Sequence, residues 1–222
     1  MRHYFFYLII LFVQTAGLMA QDSLLIGKPY LEDQLYFGIT YNHLLNKQEV
    51  ISQNGLSLGL QAGFIKDIPL NRNRNKGLAI GLGYEYSKFQ SNLLPQDQTF
   101  SLVGDFNKNK FETHSITIPF EFRFRTSNDH KYKFWRVYIG GKVSYVLYSR
   151  AVFVNSEQSI KTSIPYLNPW QAGPQIALGY NAFNAYFFWN IIPVFQGAPV
   201  LDNAYDPNKL TFIKMGLQFY IF

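Results

Sequence analysis

The sequence predicts an all-β fold, an eight-stranded antiparallel up-and-down β-barrel that spans a bacterial outer membrane. Eight segments of the 222-residue chain alternate apolar and polar residues with a period of two, as strands with one apolar face do. The connections between these segments alternate between short and long, and the N-terminus carries an export signal. An even number of strands and unequal connections are typical of single-chain outer-membrane barrels.

The N-terminus predicts a signal peptide that is cleaved after Ala20. A basic start at Arg2 precedes the uncharged apolar run Tyr4–Val13, and small residues then lead to the cleavage point. An uncleaved anchor is the weaker interpretation, because a membrane-spanning helix needs about 20 apolar residues and this run is shorter. We therefore divide the chain into a signal peptide at 1–20, a periplasmic segment at 21–33 and an outer-membrane barrel at 34–222.

The composition fits an exported protein that is stabilised by lipid contact. The chain has no cysteine and therefore no disulfide framework. Charged residues make up 15% and aromatic residues 18% of the chain, whereas soluble domains carry roughly 25% charged residues. The net charge of +6 is compatible with a nucleic-acid partner. The export signal and the lack of a basic helix or nucleic-acid-binding motif argue against that partner. Outer-membrane lipid is the predicted surrounding.

The final segment shows the strand alternation most clearly. Ile213, Met215 and Leu217 lie on one face, while Lys214 and Gly216 lie on the other. In a barrel the apolar face contacts lipid and the mixed face lines the lumen. Tyr186 and Phe188 interrupt the polar face of the preceding segment. Seven upstream segments follow the same pattern, beginning at Leu35, Leu56, Leu78, Ile116, Trp135, Trp170 and Ala185.

The lengths of the connections predict the orientation of the barrel. Short polar connections span 67–75, 126–133 and 181–184, and mostly longer ones span 46–54, 88–110, 149–166 and 193–209. With the N-terminus in the periplasm, the short set forms periplasmic turns and the long set faces outside, as in outer-membrane barrels. A soluble β-sandwich is not expected to alternate short and long connections in this way.

Seven charged residues fall on the lumen-facing side of their strands. An eight-stranded barrel has an interior just wide enough for side chains to fill, and an unpaired buried charge is costly. The favoured interpretation is an internal ion-pair network that stabilises the barrel. The alternative is a narrow path that weakly prefers anions, since five of the seven are basic. The seven residues are Glu85, Glu121, Arg123, Arg125, Arg136, Lys142 and Lys214.

The sequence predicts neither an enzyme nor a cofactor or metal site. His114 and Ser115 are adjacent on a strand, so they point to opposite faces and cannot act as a pair. His43 lies near a strand end and His130 in a predicted turn, and neither has a third group placed to orient it. The glycines of residues 77–83 lack the Lys-Ser/Thr of a phosphate loop, and small lumen-facing residues explain them better.

Two further segments are candidate contact sites. The periplasmic turn with Arg72, Arg74 and Lys76 is either a solvated turn, which we favour, or a contact for a periplasmic partner or lipid head group. The chain ends on an aromatic residue, and the spacing of polar, glycine and hydrophobic positions before it resembles the signal that barrel-assembly machinery recognises. The residues of this predicted assembly signal are Gly216, Phe219, Ile221 and Phe222.

Three stretches carry a resemblance to a known family. The stretches 60–84 (LQAGFIKDIPLNRNRNKGLAIGLGY), 109–124 (NKFETHSITIPFEFRF) and 132–142 (YKFWRVYIGGK) resemble the PorT-like outer-membrane barrels of Bacteroidota. The resemblance covers most of the mature chain. It implies a non-catalytic role associated with type IX secretion, and with gliding motility in some relatives, with other proteins of the secretion or assembly complex as partners.

The sequence therefore favours a non-enzymatic outer-membrane barrel that belongs to, or assists, a protein secretion or assembly complex. The first alternative is a small porin-like or solute-binding barrel. The weaker alternative is a lipid-modifying outer-membrane enzyme.

Overall fold

The structure is a computed structural model that describes residues 33–47, 51–53, 55–71, 73–96, 99–103, 108–126, 135–156, 159–180, 183–200 and 206–221. The predicted signal peptide lies outside the described residues, and the predicted periplasmic segment 21–33 enters them only at Asp33. The described part of the chain contains no helix with the length and hydropathy needed to cross a membrane.

Strands account for most of the described residues. They are β1 (Asp33–Leu45), β2 (Leu58–Pro69), β3 (Lys76–Gln90), β4 (Leu93–Gln96), β5 (Thr99–Leu102), β6 (Lys108–Arg125), β7 (Trp135–Val154), β8 (Ser159–Thr162), β9 (Trp170–Tyr180), β10 (Phe183–Asn190) and β11 (Thr211–Ile221). A 3₁₀ helix, Pro207–Lys209, precedes β11.

Eight of these strands form a closed antiparallel barrel, which confirms the predicted fold class. Each barrel strand pairs with its neighbours in the order β1-β2-β3-β6-β7-β9-β10-β11. The first and last strands then pair with each other, from Leu35 opposite Ile221 to Leu45 opposite Thr211. Closure gives every barrel strand two partners, so the sheet has no open edge in the barrel wall.

The two faces of the wall differ in the way the alternation predicts. On β6, Ile116, Phe120 and Phe124 point outward and are each more than two-fifths exposed, whereas Glu121 and Arg123 point inward and are buried. The same parity holds on the other barrel strands and produces a continuous apolar band around the outside. A band of exposed apolar side chains of this extent is the surface that a bilayer covers.

The predicted long connections contain more strand than expected. β6 has 18 residues and β7 has 20, whereas about 9–11 residues suffice to cross a bilayer. Both strands therefore continue beyond the apolar band at the long-connection end, where β8 pairs with β7 and β4 pairs with β5. The predicted connection boundaries at 88–110 and 149–166 are thus wrong, because period-two alternation does not show where the lipid ends.

Candidate functional site

The centre of the lumen holds a three-membered ion cluster from three different strands. Glu85 on β3 lies between Lys142 on β7 and Lys214 on β11. Lys142 Nζ is 2.6 Å from Glu85 Oε2, and Lys214 Nζ donates to the other carboxylate oxygen. Lys214 also donates to the Ser87 hydroxyl at 2.6 Å. We call Glu85, Lys142 and Lys214 the central cluster, and all three side chains are almost inaccessible to solvent.

A second cluster fills the lumen nearer the short-turn end. Asp67 accepts a bond of 2.6 Å from Arg125 Nη2, and Arg123 Nη1 lies 3.5 Å from its other oxygen. Arg123 Nε donates to Glu121 at 2.9 Å, and Arg123 Nη1 donates to Gln34 at 3.0 Å. We call Asp67, Glu121, Arg123 and Arg125 the lower cluster. Its two acids and two bases balance in charge.

Hydrogen bonds join the two clusters into one continuous chain. Lys142 Nζ donates to Gln61 at 3.3 Å, and Gln61 donates to Gln218 at 3.0 Å. Gln218 donates to the Tyr220 hydroxyl at 2.9 Å, which in turn donates to Glu121 at 3.2 Å. We call the two clusters with these connecting side chains the lumen network. Connected buried polar groups avoid the cost of unpaired ones, so the network fixes the side chains that it joins.

Aromatic rings surround the cations of the network. The Arg123 guanidinium lies 4.5 Å from the centre of the Tyr138 ring, and Lys142 Nζ lies 4.3 Å from that of Phe188. Tyr186 donates to Gln175 at 3.0 Å and is also buried. Tyr186 and Phe188 thus interrupt the polar face of β10 because they pack against lumen cations, where aromatic faces are favourable.

An apolar layer closes the lumen at the long-connection end. The rings of Phe89 and Phe111 stack with centres 4.8 Å apart, and Phe212 packs against Phe89 at 5.2 Å. Phe195, from the connection after β10, contacts Phe111 from above and Phe100 of β5 at 4.7 Å. We call these five side chains the aromatic cap. All five are buried, so the cap separates the lumen network from that mouth of the barrel.

The structure places all seven predicted lumen charges inside the barrel. Six of them belong to the two clusters. The seventh, Arg136, is buried directly opposite Arg125 in the β6–β7 pair. The predicted balance of two acids and five bases in the lumen is wrong, because Asp67 supplies a third acid that points into the lumen.

Sequence reasoning missed Asp67 because it assigned residues 67–75 to a turn. β2 in fact continues to Pro69, so Asp67 keeps the inward parity of Gln61 and Ile65. If the alternation is continued past Phe64, Asp67 falls on the lumen side of its strand. Arg123 and Arg125, which alternation also places in the lumen, are then candidate partners for its carboxylate.

The two candidate contact segments are placed as follows. At the short turn, Lys76 is exposed and Arg74 is partly exposed with φ of 51°, while Arg72 lies outside the described residues. Gly216, Phe219 and Ile221 lie on β11 in register with β1, and Phe222 lies outside the described residues. Recognition of either segment by another protein stays a prediction.

The two described histidines, His43 and His114, lie on strands that are not neighbours in the barrel. His43 lies near the end of β1 opposite Ile213, and His130 lies outside the described residues. His114 faces outward on β6, where its Nδ1 shares a hydrogen bond with the Tyr84 hydroxyl. Across the described ranges, His, Asp and Glu side chains form no group of three that could hold a metal ion.

A closed barrel with an apolar outer band and a filled polar interior defines an integral β-barrel protein of the outer membrane. The model of the family "Outer membrane protein beta-barrel domain" matches residues 19–196, so the chain belongs to that family. Because outer-membrane barrels have short periplasmic turns and longer extracellular loops, we expect the short-turn end to be periplasmic and the long-connection end to be extracellular.

Comparison with solved structures finds likeness to an outer-membrane protein of Yersinia pestis. Ail, the attachment invasion locus protein, shares 12% identity, with 85% of this chain and 97% of that chain covered and a TM-score of 0.36. Ail in complex with the heparin analogue sucrose octasulfate shares 11% identity, with 86% and 99% covered and a TM-score of 0.35. No curated protein sequence matches the chain.

Proposed function

We propose that this protein is a non-enzymatic component of, or accessory to, a protein secretion or assembly complex, and that it works through surfaces around the barrel. The observation that carries the proposal is the filled lumen. The lumen network occupies the interior and the aromatic cap covers its extracellular mouth. Because the filled interior leaves no room for a substrate, the surfaces available to contact other molecules are the periplasmic turns, the outer wall and the extracellular strands.

The resemblance of residues 60–84, 109–124 and 132–142 to PorT-like barrels supports the narrower proposal of a role in type IX secretion. In the structure the described residues of the first stretch lie in β2, the short turn and β3, those of the second lie in β6, and those of the third begin β7. These strands supply Asp67, Glu121, Arg123 and Arg125 of the lower cluster and present the basic turn at the periplasmic end. The periplasmic end is therefore the side on which we place the partner.

Affinity purification tests the proposed partnership. Tagged full-length protein extracted from its native membrane with mild detergent is expected to carry stoichiometric partner proteins. The variant Arg72→Gln/Arg74→Gln/Lys76→Gln removes the positive charges of the basic turn and is expected to lose the partner proteins. The variant Lys209→Gln removes an exposed charge at the extracellular end and is expected to retain the partner proteins. Protein that purifies alone, under conditions that keep known complexes intact, would contradict the proposal.

Electrical recordings distinguish the proposed function from the porin-like alternative, which requires a lumen that conducts ions. Because buried side chains fill the lumen and aromatic rings cover its extracellular mouth, we expect planar-bilayer recordings of the purified protein to show no discrete conductance steps. An open sixteen-stranded porin reconstituted in parallel is the positive control. Reproducible single-channel steps that change in size in Glu85→Gln would establish a conducting lumen instead.

The lipid-modifying alternative has a direct test as well. A strain that lacks the protein is expected to contain unchanged lipid A by mass spectrometry. A missing acyl or phosphate modification that the wild-type chain restores would establish an enzyme.

A further inference from the structure

The outer wall of the barrel changes character at one level on the extracellular side. Tyr84, Tyr145 and Trp170 are outward-facing and about half exposed, and they lie in a row across β3, β7 and β9 at the upper edge of the apolar band. Amphipathic rings favour the level where hydrocarbon meets head groups. Outward side chains above this row therefore lie at the depth of lipid head groups rather than of acyl chains.

The outward face above this row is strongly basic on one side of the barrel. Strands β6, β7 and β8 extend there together with the end of β3, and their outward positions carry five cations. Among the described residues of these strand ends, Glu112 is the acid on this face. We call the five cations the basic ridge, and they are Lys88, Lys108, Lys110, Arg150 and Lys161.

Strand register places these side chains on one surface. Lys88 lies opposite Glu112, and Glu112 lies opposite Arg150, in adjacent antiparallel pairs. One step further out, Lys110 and Lys161 both flank Val152. Directly opposed residues of an antiparallel pair point to the same face of the sheet. The ridge is therefore a surface of four strands with a net charge of +4, from five cations and one acid.

Glu112 organises the ridge from within. Its carboxylate accepts bonds from Tyr86 at 2.6 Å and from Arg150 Nη2 at 2.7 Å, and Lys110 donates to it as well. Burial alone would raise the pKa of Glu112, but the hydrogen bonds from Lys110, Tyr86 and Arg150 outweigh it and lower the pKa to about 2. Glu112 thus stays ionised and holds Lys110 and Arg150 in position, while the Arg150 side chain remains 41% exposed.

A row of rings separates the ridge from the apolar band. His114 lies between Tyr86 and Tyr148, with ring centres 5.2 Å and 5.5 Å from its own. A bulge at His114 and Ser115 shifts the register so that His114 is opposite Tyr148 and Ser115 is opposite Val146. From the membrane outward, this wall therefore offers apolar side chains, then polar rings, then cations. The order matches an amphiphile with acyl chains, a polar linker and anionic groups.

The long cationic side chains of the ridge can reach the head-group layer. Lys88 and Glu112 lie four residues above the row of Tyr84, which is about 14 Å along the strand and about 10 Å along the membrane normal once the strand tilt of about 35–45° is included. The head-group region extends about 5–8 Å beyond the hydrocarbon core, and lysine and arginine side chains are long enough to bring their charges down to that level.

On the opposite side of the barrel, Leu56, Ile191 and Thr211 lie at or just beyond the upper ends of β2, β10 and β11, and Lys47 and Lys209 lie just outside the ends of β1 and β11. The five cations of the ridge therefore form the denser cluster.

We propose that the basic ridge binds the phosphate groups of an outer-leaflet lipid whose acyl chains lie against the apolar band below. Lysine and arginine near a membrane surface attract anionic head groups, and the planar guanidinium of Arg150 suits phosphate oxygens. This site is independent of the proposed role in a secretion complex, which we place at the periplasmic end.

Native mass spectrometry of the full-length protein in detergent tests the proposal. The probes are bisphosphorylated lipid A and a dephosphorylated lipid A with the same acyl chains. We expect the phosphorylated lipid to be retained at a concentration at which the dephosphorylated one is lost. The variant Lys88→Gln/Arg150→Gln/Lys161→Gln removes three cations and keeps Lys110 with Glu112. Each charge contributes about fivefold in affinity, so we expect the loss of all three to weaken binding about a hundredfold.

Controls separate the ridge from general charge and from free phosphate. The variant Lys66→Gln/Lys76→Gln/Lys209→Gln removes the same charge from exposed positions elsewhere and is expected to bind like wild type. Equal weakening in both variants, or equal retention of the two lipids, would overturn the proposal. Displacement of the lipid by inorganic phosphate at equal concentration would identify a site for free phosphate and would overturn the lipid assignment. Unchanged mobility of unheated samples in gels shows that each variant is folded.

Discussion

Glu85→Gln is expected to destabilise the folded barrel by about 3–5 kcal/mol, the cost of removing one partner from a buried ion pair. Glu85 is the one acid of the central cluster, and two buried ammonium groups, Lys142 and Lys214, depend on it. Glutamine keeps the size of the side chain and a hydrogen-bonding oxygen, but it removes the negative charge. The loss is therefore electrostatic, since two like charges remain close together in a medium of low polarity.

The measurement is the free energy of unfolding from urea titrations of the protein in lipid vesicles. The matched control is Glu85→Gln combined with Lys142→Met and Lys214→Met, which removes all three charges at similar volume. Replacing a whole buried ion cluster by apolar residues is often neutral or stabilising, so this triple variant is expected to regain most of the lost stability. A single variant within about 1 kcal/mol of wild type would show that the central cluster is solvated rather than dry.

Gly140→Ala is expected to produce the second large effect, a loss of about 3 kcal/mol or more, at the upper end of overpacking costs. A methyl group at Gly140 on β7 would lie far inside the van der Waals contact distance of the Phe120 carbonyl oxygen on β6. That neighbour is backbone, so it cannot rotate away as a side chain could. The two strands must separate locally, which weakens ladder hydrogen bonds between them.

The adjacent glycine is a matched control for this substitution. A methyl group at Gly141 would approach nothing closer than the Gly173 carbonyl oxygen, at 3.5 Å, an ordinary contact distance. Gly141→Ala makes the same chemical change on the same strand and is expected to alter stability by less than about 1 kcal/mol. The two variants are compared by urea titration and by the temperature at which the folded gel band is lost. Equal stability of the two variants would mean that the β6–β7 approach is looser than described.

The sequence predicts the faces of the strands well and the partners across the lumen poorly. Each lumen-facing residue follows from alternation within its own segment, which is why Lys142 and Lys214 could be placed inward without a structure. That both meet Glu85 depends on the stagger of three strands around a closed barrel, which no single segment encodes. Asp67 was missed for a simpler reason, because its strand runs further than the apolar signal.

Two other features could not be recognised from the periodic pattern alone. The aromatic cap combines strand residues such as Phe89 with Phe100 and Phe195 from the extracellular connections, so it forms only when the connections fold over the mouth. The basic ridge continues the alternation of β6 and β7 above the apolar band. The inference that it binds lipid phosphate depends on the height of Glu112 and Arg150 above the aromatic row, which only the strand register in the structure shows.

The pairing of β1 with β11 determines the order in which the barrel can be completed. Tyr36 lies opposite Tyr220 and Asn42 opposite Lys214, so this seam joins the first and last strands of the barrel and cannot form until β11 is present. Before that moment the sheet has two open edges, each with unpaired backbone groups that attract other chains. Lys214 lies on β11, so the pairing of β11 with β1 both closes the open edges of the sheet and brings the second cation to Glu85. Until that pairing forms, we expect the chain to need a chaperone that covers its open strand edges.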